Sequence, residues 1–470
     1  MKPSDKVRRT HARTRNGLFA ALLFLLLAAC ATGRSEAQGS PSPDAANAIN
    51  APGVIINEIL AHTDDPQVDS VEFYNPTATP ITMAGWWFAD GDKPGDRMIL
   101  GANAIVPARG FWVLELPEGG MRLKEMGETI TLTAIGNGGV PTGYTDSATF
   151  LASPNGVSLG RVQINDGAQN PIFFPLQQTL TLGAPNRAPR VGPVVIAEIM
   201  YNPNGDKPKY IELLNTGSKT VLFYDSLRPE NRWQLEGVGS YAIPVESIAP
   251  GASLFVASVA EADFRSAYNL PADVAVVGPF GGELKKSGER VALLSPEPPN
   301  EDGTVPYVAV DEVDYGTQPP WPTEPGGEGP ALARVNLAGF GQEPRNWAAS
   351  TLALEAGPAV TAVRKVVLPA LGGGRAIQWR TAQEWRLLGF SIWRGAEGSA
   401  RADAVQVGGL VQPLNSRHIA RDYQVIDGTA DTDTTYTYWI EAQAQDDRAL
   451  AVATLNSPPP TLVHLPVVRQ

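Results

Sequence analysis

Cysteine is almost missing from this 470-residue chain: Cys30 is the only one. No internal disulfide can form, and cysteine-based zinc or redox motifs are excluded. Histidine is nearly as scarce. His11, His62, His418 and His464 lie far apart, with no His-x-His or His-Glu-x-x-His spacing to mark a catalytic metal. Helical periodicity is missing as well. Outside the N-terminus no stretch keeps an apolar 3.6-residue repeat for three turns, and the best exception, Ser258–Tyr268, allows one or two turns at most. Positive charge is in deficit, with 37 basic side chains against 49 acidic ones and a net charge of −12. Such a surface repels phosphate backbones and has no basic stripe, so nucleic acid is not expected as a partner through a basic patch.

What is present is a duplication. Val54-Ile-Ile-Asn-Glu58-Ile-Leu60 leads to Val71-Glu72-Phe-Tyr-Asn75, and Val194-Val-Ile-Ala-Glu198-Ile-Met200 leads to Tyr210-Ile-Glu212-Leu-Leu-Asn215. Glu58 corresponds to Glu198 and Glu72 to Glu212. Further on, Leu123-Lys-Glu-Met-Gly-Glu-Thr-Ile-Thr-Leu132 answers Leu284-Lys-Lys-Ser-Gly-Glu-Arg-Val-Ala-Leu293, and Gly156–Arg161 answers Gly329–Arg334. The second copy carries insertions rich in Pro and Gly, such as Ser295–Gly303 and Gln318–Pro322, which read as loops between retained strands. A repeat of this length is a whole domain used twice. The matched segments are short, rich in Val, Ile, Phe and Tyr, and bounded by turn residues, which predicts an all-β chain of tandem β-sandwiches.

The N-terminus follows another grammar. Lys2, Lys6, Arg8, Arg9, Arg13 and Arg15 precede the apolar run Leu18–Ala29, which is too short for a permanent membrane span and has the proportions of a signal-peptide core. Leu27-Ala-Ala-Cys30 looks like a bacterial lipoprotein processing site, which makes Cys30 the expected lipidation site and the membrane a partner through that lipid. Residues 31–52, rich in Ala, Ser, Pro, Gly and Asn, read as a flexible tether. The expected location is exported and lipid-anchored, at the bacterial cell surface or outer membrane.

The duplicated segments resemble the lamin tail domain family, an immunoglobulin-like sandwich. The first copy carries the Asn-Glu-Ile strand, the Glu-Phe-Tyr-Asn strand and Gly85-Trp-Trp-Phe-Ala-Asp90. It also has the Ile105-Val-Pro-Ala-Arg-Gly110 turn, the Gly-Glu strand and a closing Leu182-Gly-Ala-Pro-Asn186. The second copy has Ala197 in place of the Asn and only a loose echo of the Gly-Trp strand in Asn231-Arg-Trp-Gln-Leu235. Ala376–Ala382, Gly389–Arg394, Tyr423–Asp427 and Thr435–Ala442 alternate at period two and resemble a fibronectin type III-like module. The expected division is a signal peptide at 1–29, a tether at 30–52 and lamin-tail-like domains at 53–190 and 191–355. A fibronectin-like domain at 356–456 and a tail at 457–470 follow.

Candidate chemistry is sparse. Gly156-Val-Ser158-Leu-Gly160 matches a hydrolase nucleophile elbow, but no helix follows it and Ala331 stands at the matching place in the second copy, so a structural turn is expected. His62, His418 and His464 read as exposed loop residues. The calcium candidates are Asn202, Asn204 and Asp206 and, in the equivalent loop of the first copy, Asp64, Asp65 and Asp69. Asp90, Asp92 and Asp96, and later Asp427, Asp431 and Asp433, look similar. None has the full calcium-loop grammar, and Asx residues also initiate turns. Glu58, Glu72, Glu198 and Glu212 are expected to be structural, accepting bonds from backbone or from Arg161 and Arg334. Of the adjacent Trp86 and Trp87, one is expected in the core and the other partly exposed, which makes Trp87 a carbohydrate-stacking candidate.

These readings converge on a non-catalytic, lipid-anchored binding or scaffolding protein. Its expected partner is an extracellular protein or polysaccharide, and no cofactor is expected beyond structural calcium. By resemblance it is an accessory to secreted hydrolases. The rival readings are a calcium-dependent hydrolase of nuclease or phosphatase type, and a glycan-binding module.

Overall fold

A computed structural model describes residues 53–457, except 92–96, 118–119, 166–169, 301, 328, 371–372 and 432. Cys30, the signal segment, the tether, His11, Asp92, Asp96, His464 and the C-terminal tail lie outside the described residues. Strands dominate what is described. The one α-helix among the described residues, Glu261–Tyr268, falls where the sequence allowed two turns. No helix among the described residues is long and apolar enough to cross a membrane.

Both copies are built on the same strand pair. Ile55–Leu60 pairs antiparallel with Asp69–Tyr74, and Val194–Met200 with Tyr210–Asn215. The register places Glu58 opposite Glu72 and Glu198 opposite Glu212, with an irregularity at the same point, between Ile56 and Glu58 and between Ile196 and Glu198. A β-bulge leaves one residue unpaired, and here that residue is Asn57 or Ala197. In the first copy this pair belongs to a four-stranded sheet that faces a second one containing Gly127–Ile135 and Pro141–Leu151. In the second copy the corresponding sheet has six strands, and it faces a sheet containing Glu289–Pro296 and Tyr307–Tyr315. Each copy has its own core. One is gathered around Phe73, Phe88 and Leu132, the other around Leu213, Leu235 and Leu293.

The third region is a three-plus-four sandwich. Ala359–Pro369, Arg375–Trp385 and Arg421–Asp427 form one sheet. Val405–Val411, Leu387–Ala396, Tyr436–Ala444 and Ala449–Ser457 form the other. Trp379 is fully buried at its centre, stacked on Tyr423 and edge-on to Phe390. This arrangement agrees with the alternation read in the sequence.

The second copy and the third sandwich also share apolar packing. Trp385 is buried with Tyr210, Phe255, Phe264 and Tyr268. Val195, Ala197 and Leu214 pack against Ile419. These contacts bury the second copy's central strands on both faces: every residue of Val194–Met200 and Tyr210–Asn215 is buried, whereas Ile55, Asn57 and Tyr74 in the first copy stay half-exposed.

Candidate functional site: one carboxylate pair, closed in two ways

In both copies the bulge and the antiparallel register bring two glutamates side by side with almost no solvent contact. Two buried carboxylates cannot both remain charged without compensation, because burial penalises each charge and the two repel. The copies meet this requirement differently.

In the first copy the pair is closed by polar groups of its own terminal segment. Glu58 accepts from the Ser158 hydroxyl at 2.5 Å, from the Thr181 amide at 2.9 Å and from the Thr181 hydroxyl at 2.7 Å. Glu72 accepts from the Asn57 side chain at 2.7 Å and from the Gly183 amide. Asn57 in turn donates to Asn186 at 2.8 Å. None of these donors is a full cation. Burial therefore pushes the Glu72 carboxyl up to about 7, against the lowering effect of the Gly183 and Asn57 bonds and with a further push from Glu58.

A consequence follows for stability. Glu72 has a folded-state pKa above its ordinary 4.5, so its contribution is fully present below about pH 4.5 and is lost as pH rises through about 7. Glu72→Gln should remove that dependence. At pH 8 the variant's Ile55–Leu60 and Asp69–Tyr74 amides should be better protected from hydrogen exchange than the parent's, by on the order of 3 kcal/mol at most. The difference should vanish at pH 4. Equal protection at both pH values would contradict it.

In the second copy the pair is closed by the Arg417 guanidinium and the His418 imidazole of the third sandwich. Arg417 Nη2 donates to both oxygens of Glu198, at 2.9 and 2.6 Å, and Nη1 donates to Glu212 at 3.3 Å. His418 Nε2 lies 2.9 Å from Glu212 Oε2 and 3.6 Å from Glu198 Oε2. Tyr210 donates its hydroxyl to Glu198 at 2.6 Å and Ser253 to Glu212 at 2.6 Å. Burial would lift Glu212, but His418 and Arg417 outweigh it and hold the carboxyl well below its usual range. The His418 imidazolium is disfavoured by burial, yet Glu212 and then Glu198 raise it overall.

The loop that delivers Arg417 and His418 is itself held firmly. Glu384, fully buried, accepts from the amides of Leu414 at 2.7 Å and Asn415 at 3.0 Å, and from the Tyr423 hydroxyl at 2.6 Å. Asn415, in the left-handed region at φ 53°, clamps both polar groups of Leu387. Ser416 accepts from the amides of His418 and Ile419, closing the turn that carries Arg417 and His418.

Several sequence expectations need correction. Arg161 and Arg334 do not serve the glutamates. Arg161 pairs with Asp146 at 2.9 Å, and Arg334 pairs with Asp311. These aspartates accept the freed amides of Ile56 and Ile196, and the arginines donate to the carbonyls of the same residues, so each Asp–Arg pair locks the bulge. The signal was present in Asp146-Ser-Ala-Thr-Phe150 and Asp311-Glu-Val-Asp-Tyr315, which share a spacing of Asp, apolar and aromatic residues. Nor are the described histidines exposed loop residues. His62 bonds the Ser153 carbonyl at 2.8 Å and faces Glu125 at 3.5 Å, and the His418 side chain is 7% exposed.

The remaining candidates do not gather into one site. Asn202 is buried and donates to the Gly326 carbonyl, while Asn204 and Asp206 are exposed. Asp64 accepts from Asn155, Asp65 is exposed, and Asp69 is occupied by the Thr63 hydroxyl and the Leu123 amide. Asp427 is buried against Arg394 and Tyr438, and Asp431 accepts from the Asp433 amide in an Asx turn. Trp86 packs on the first core. Trp87 is half-buried, with the Arg97 guanidinium over its ring at 3.8 Å. Among the described residues, one group of three could offer a metal its ligand atoms: Glu198, Glu212 and His418. Arg417 already occupies the position where a cation would sit.

Strand pairing thus defines an all-β chain of immunoglobulin- and fibronectin-like sandwiches. No protein-family model and no curated protein matches it. Among solved structures the chain is similar to the chicken CNTN1 FN1-FN3 domains, at 10% identity over 86% of this chain and 97% of that one, with a TM-score of 0.16. At that score the likeness carries no argument, and the fold stands on the strand pairing.

Proposed function

We propose that the chain is a non-catalytic binding or scaffolding protein, anchored through a lipid on Cys30. On this reading it displays two lamin-tail-like sandwiches and a fibronectin-like one to an extracellular protein or polysaccharide. One observation carries the reading. Glu198, Glu212 and His418, the grouping best suited to acid–base or metal chemistry, are ion-paired with Arg417 or with one another and spent on joining the second copy to the third sandwich. A general acid or base must touch its substrate, and these carboxylates have almost no exposed surface to offer one. An accessory place beside a secreted hydrolase fits the same reading, since display requires no chemistry of its own.

The test uses the chain from residue 30 onward, assayed for nuclease and phosphatase turnover with calcium and with chelator. No turnover in either condition is expected, together with a specific protein or polysaccharide recovered from the cell surface. Turnover abolished by chelator and by Asp206→Ala would overturn the reading in favour of a hydrolase. Binding on a glycan array lost in Trp87→Ala would narrow the partner to sugars. For the anchor, fatty-acid label should enter the parent and not Cys30→Ser.

A further inference from the structure

The two copies pose the same electrostatic problem and differ in one component. In the first copy no cation is hydrogen-bonded to the pair, and burial raises the Glu72 carboxyl. The second has two cations, of which Arg417 is permanent and His418 is titratable. With His418 protonated, two carboxylates face two positive charges and the buried cluster is neutral. With His418 neutral, the same space holds one surplus negative charge. The groups facing His418 are Glu198 on Val194–Met200, and Glu212 and Tyr210 on Tyr210–Asn215. Arg417 faces it from its own loop. More distantly, Glu355 interacts electrostatically with Arg417.

The cluster is also within reach of solvent protons. Arg417 and His418 line a cavity of about 280 Å³ together with Ser350, Thr351 and Gln383. Other contacts across the junction are Trp385 in its aromatic pocket, Ile419 against Ala197, Arg417 to the Leu352 carbonyl at 2.8 Å, Arg386 to the carbonyls of Tyr268 at 3.3 Å and Leu354 at 3.5 Å, Gln383 to the Thr351 hydroxyl at 3.2 Å, and Gln445 to Asp273 at 2.9 Å. Loss of the His418 charge would leave the junction to the Arg417 ion pairs, which then face one uncompensated carboxylate, and to these contacts.

We propose that His418 is a proton-operated latch: protonated, it seats the Pro413–Ile419 loop on the Glu198–Glu212 pair and fixes the third sandwich against the second copy, and deprotonated it releases that loop. A raised folded-state pKa means that the closing contribution is fully present below histidine's ordinary 6.5 and is lost as pH rises through the higher folded value. Glu212, held low, adds a contribution that is fully present above 4.5 and fails only in stronger acid. The junction is therefore tightest in mildly acidic medium and loosens on the alkaline side.

The full chain with Cys30→Ser, spin-labelled at Ser240→Cys and Glu397→Cys, gives the inter-domain distance distribution directly. A single narrow distance is expected at about pH 6, and at about pH 9 a second population raised several-fold. His418→Gln should show the second population at both pH values, and His418→Lys at neither. A distribution unchanged across that range in the parent while His418 titrates by NMR would overturn the latch. So would a pH response that persists in His418→Gln. Stoichiometric zinc binding that holds the closed distance at about pH 9 would assign the cluster to a metal instead, and overturn it too.

Discussion

Arg417→Ala should cost about 3–5 kcal/mol at neutral pH, because it leaves Glu198 and Glu212 buried with at most one compensating charge. The loss should appear as faster hydrogen exchange in Val194–Met200 and Tyr210–Asn215, and as separate melting of the third sandwich in calorimetry. It should shrink as the medium is acidified and one carboxylate takes up a proton, as Glu72 does in the first copy. An undiminished loss at about pH 4.5 would mean that packing around Trp385, not charge, is what Arg417 supports. The matching Ser158→Ala change in the first copy removes a neutral donor from Glu58 and should cost less, about 1–3 kcal/mol.

Asp311→Ala should be of similar size to Arg417→Ala, about 3–5 kcal/mol, because Arg334 is then left fully buried without a counter-charge and the Ile196 amide without an acceptor. The effect should be local, unregistering the bulge that sets Glu198 opposite Glu212. Asp146→Ala in the first copy should do less, since the Arg161 side chain keeps 9% exposure and Arg334 none, so water can compensate it in part. Chemical denaturation of each variant measures both, and equal losses would show that burial is not what separates the copies.

Much of the architecture was legible because β-structure writes itself into a period of two and its turns into Gly and Pro. The duplication and the alternation around Trp379 followed from that, and the short helix stood out as the one exception to it. The structural role of the four glutamates was legible from their recurrence. Their partners were not, because Arg417 and Ser253 approach from segments whose distance along the chain carries no pairing signal. Ala197 stood out as a departure from the first copy's Asn57, and its reason is tertiary. Asn57 is polar because it bonds Asn186 and Glu72 beside the first copy's terminal segment, while Ala197 is small and apolar because Ile419 packs against it.

Strand register, the bulge and the side-by-side glutamates are therefore consequences of local sequence repeated in two places. How each pair of buried charges is neutralised, by hydroxyls and amides in one copy and by Arg417 and His418 in the other, was decided only when a third domain packed against the second. Periodicity reports which face of a strand is apolar. A buried charge is balanced by whatever group the fold brings within about 3 Å, and that group has no fixed place in the sequence.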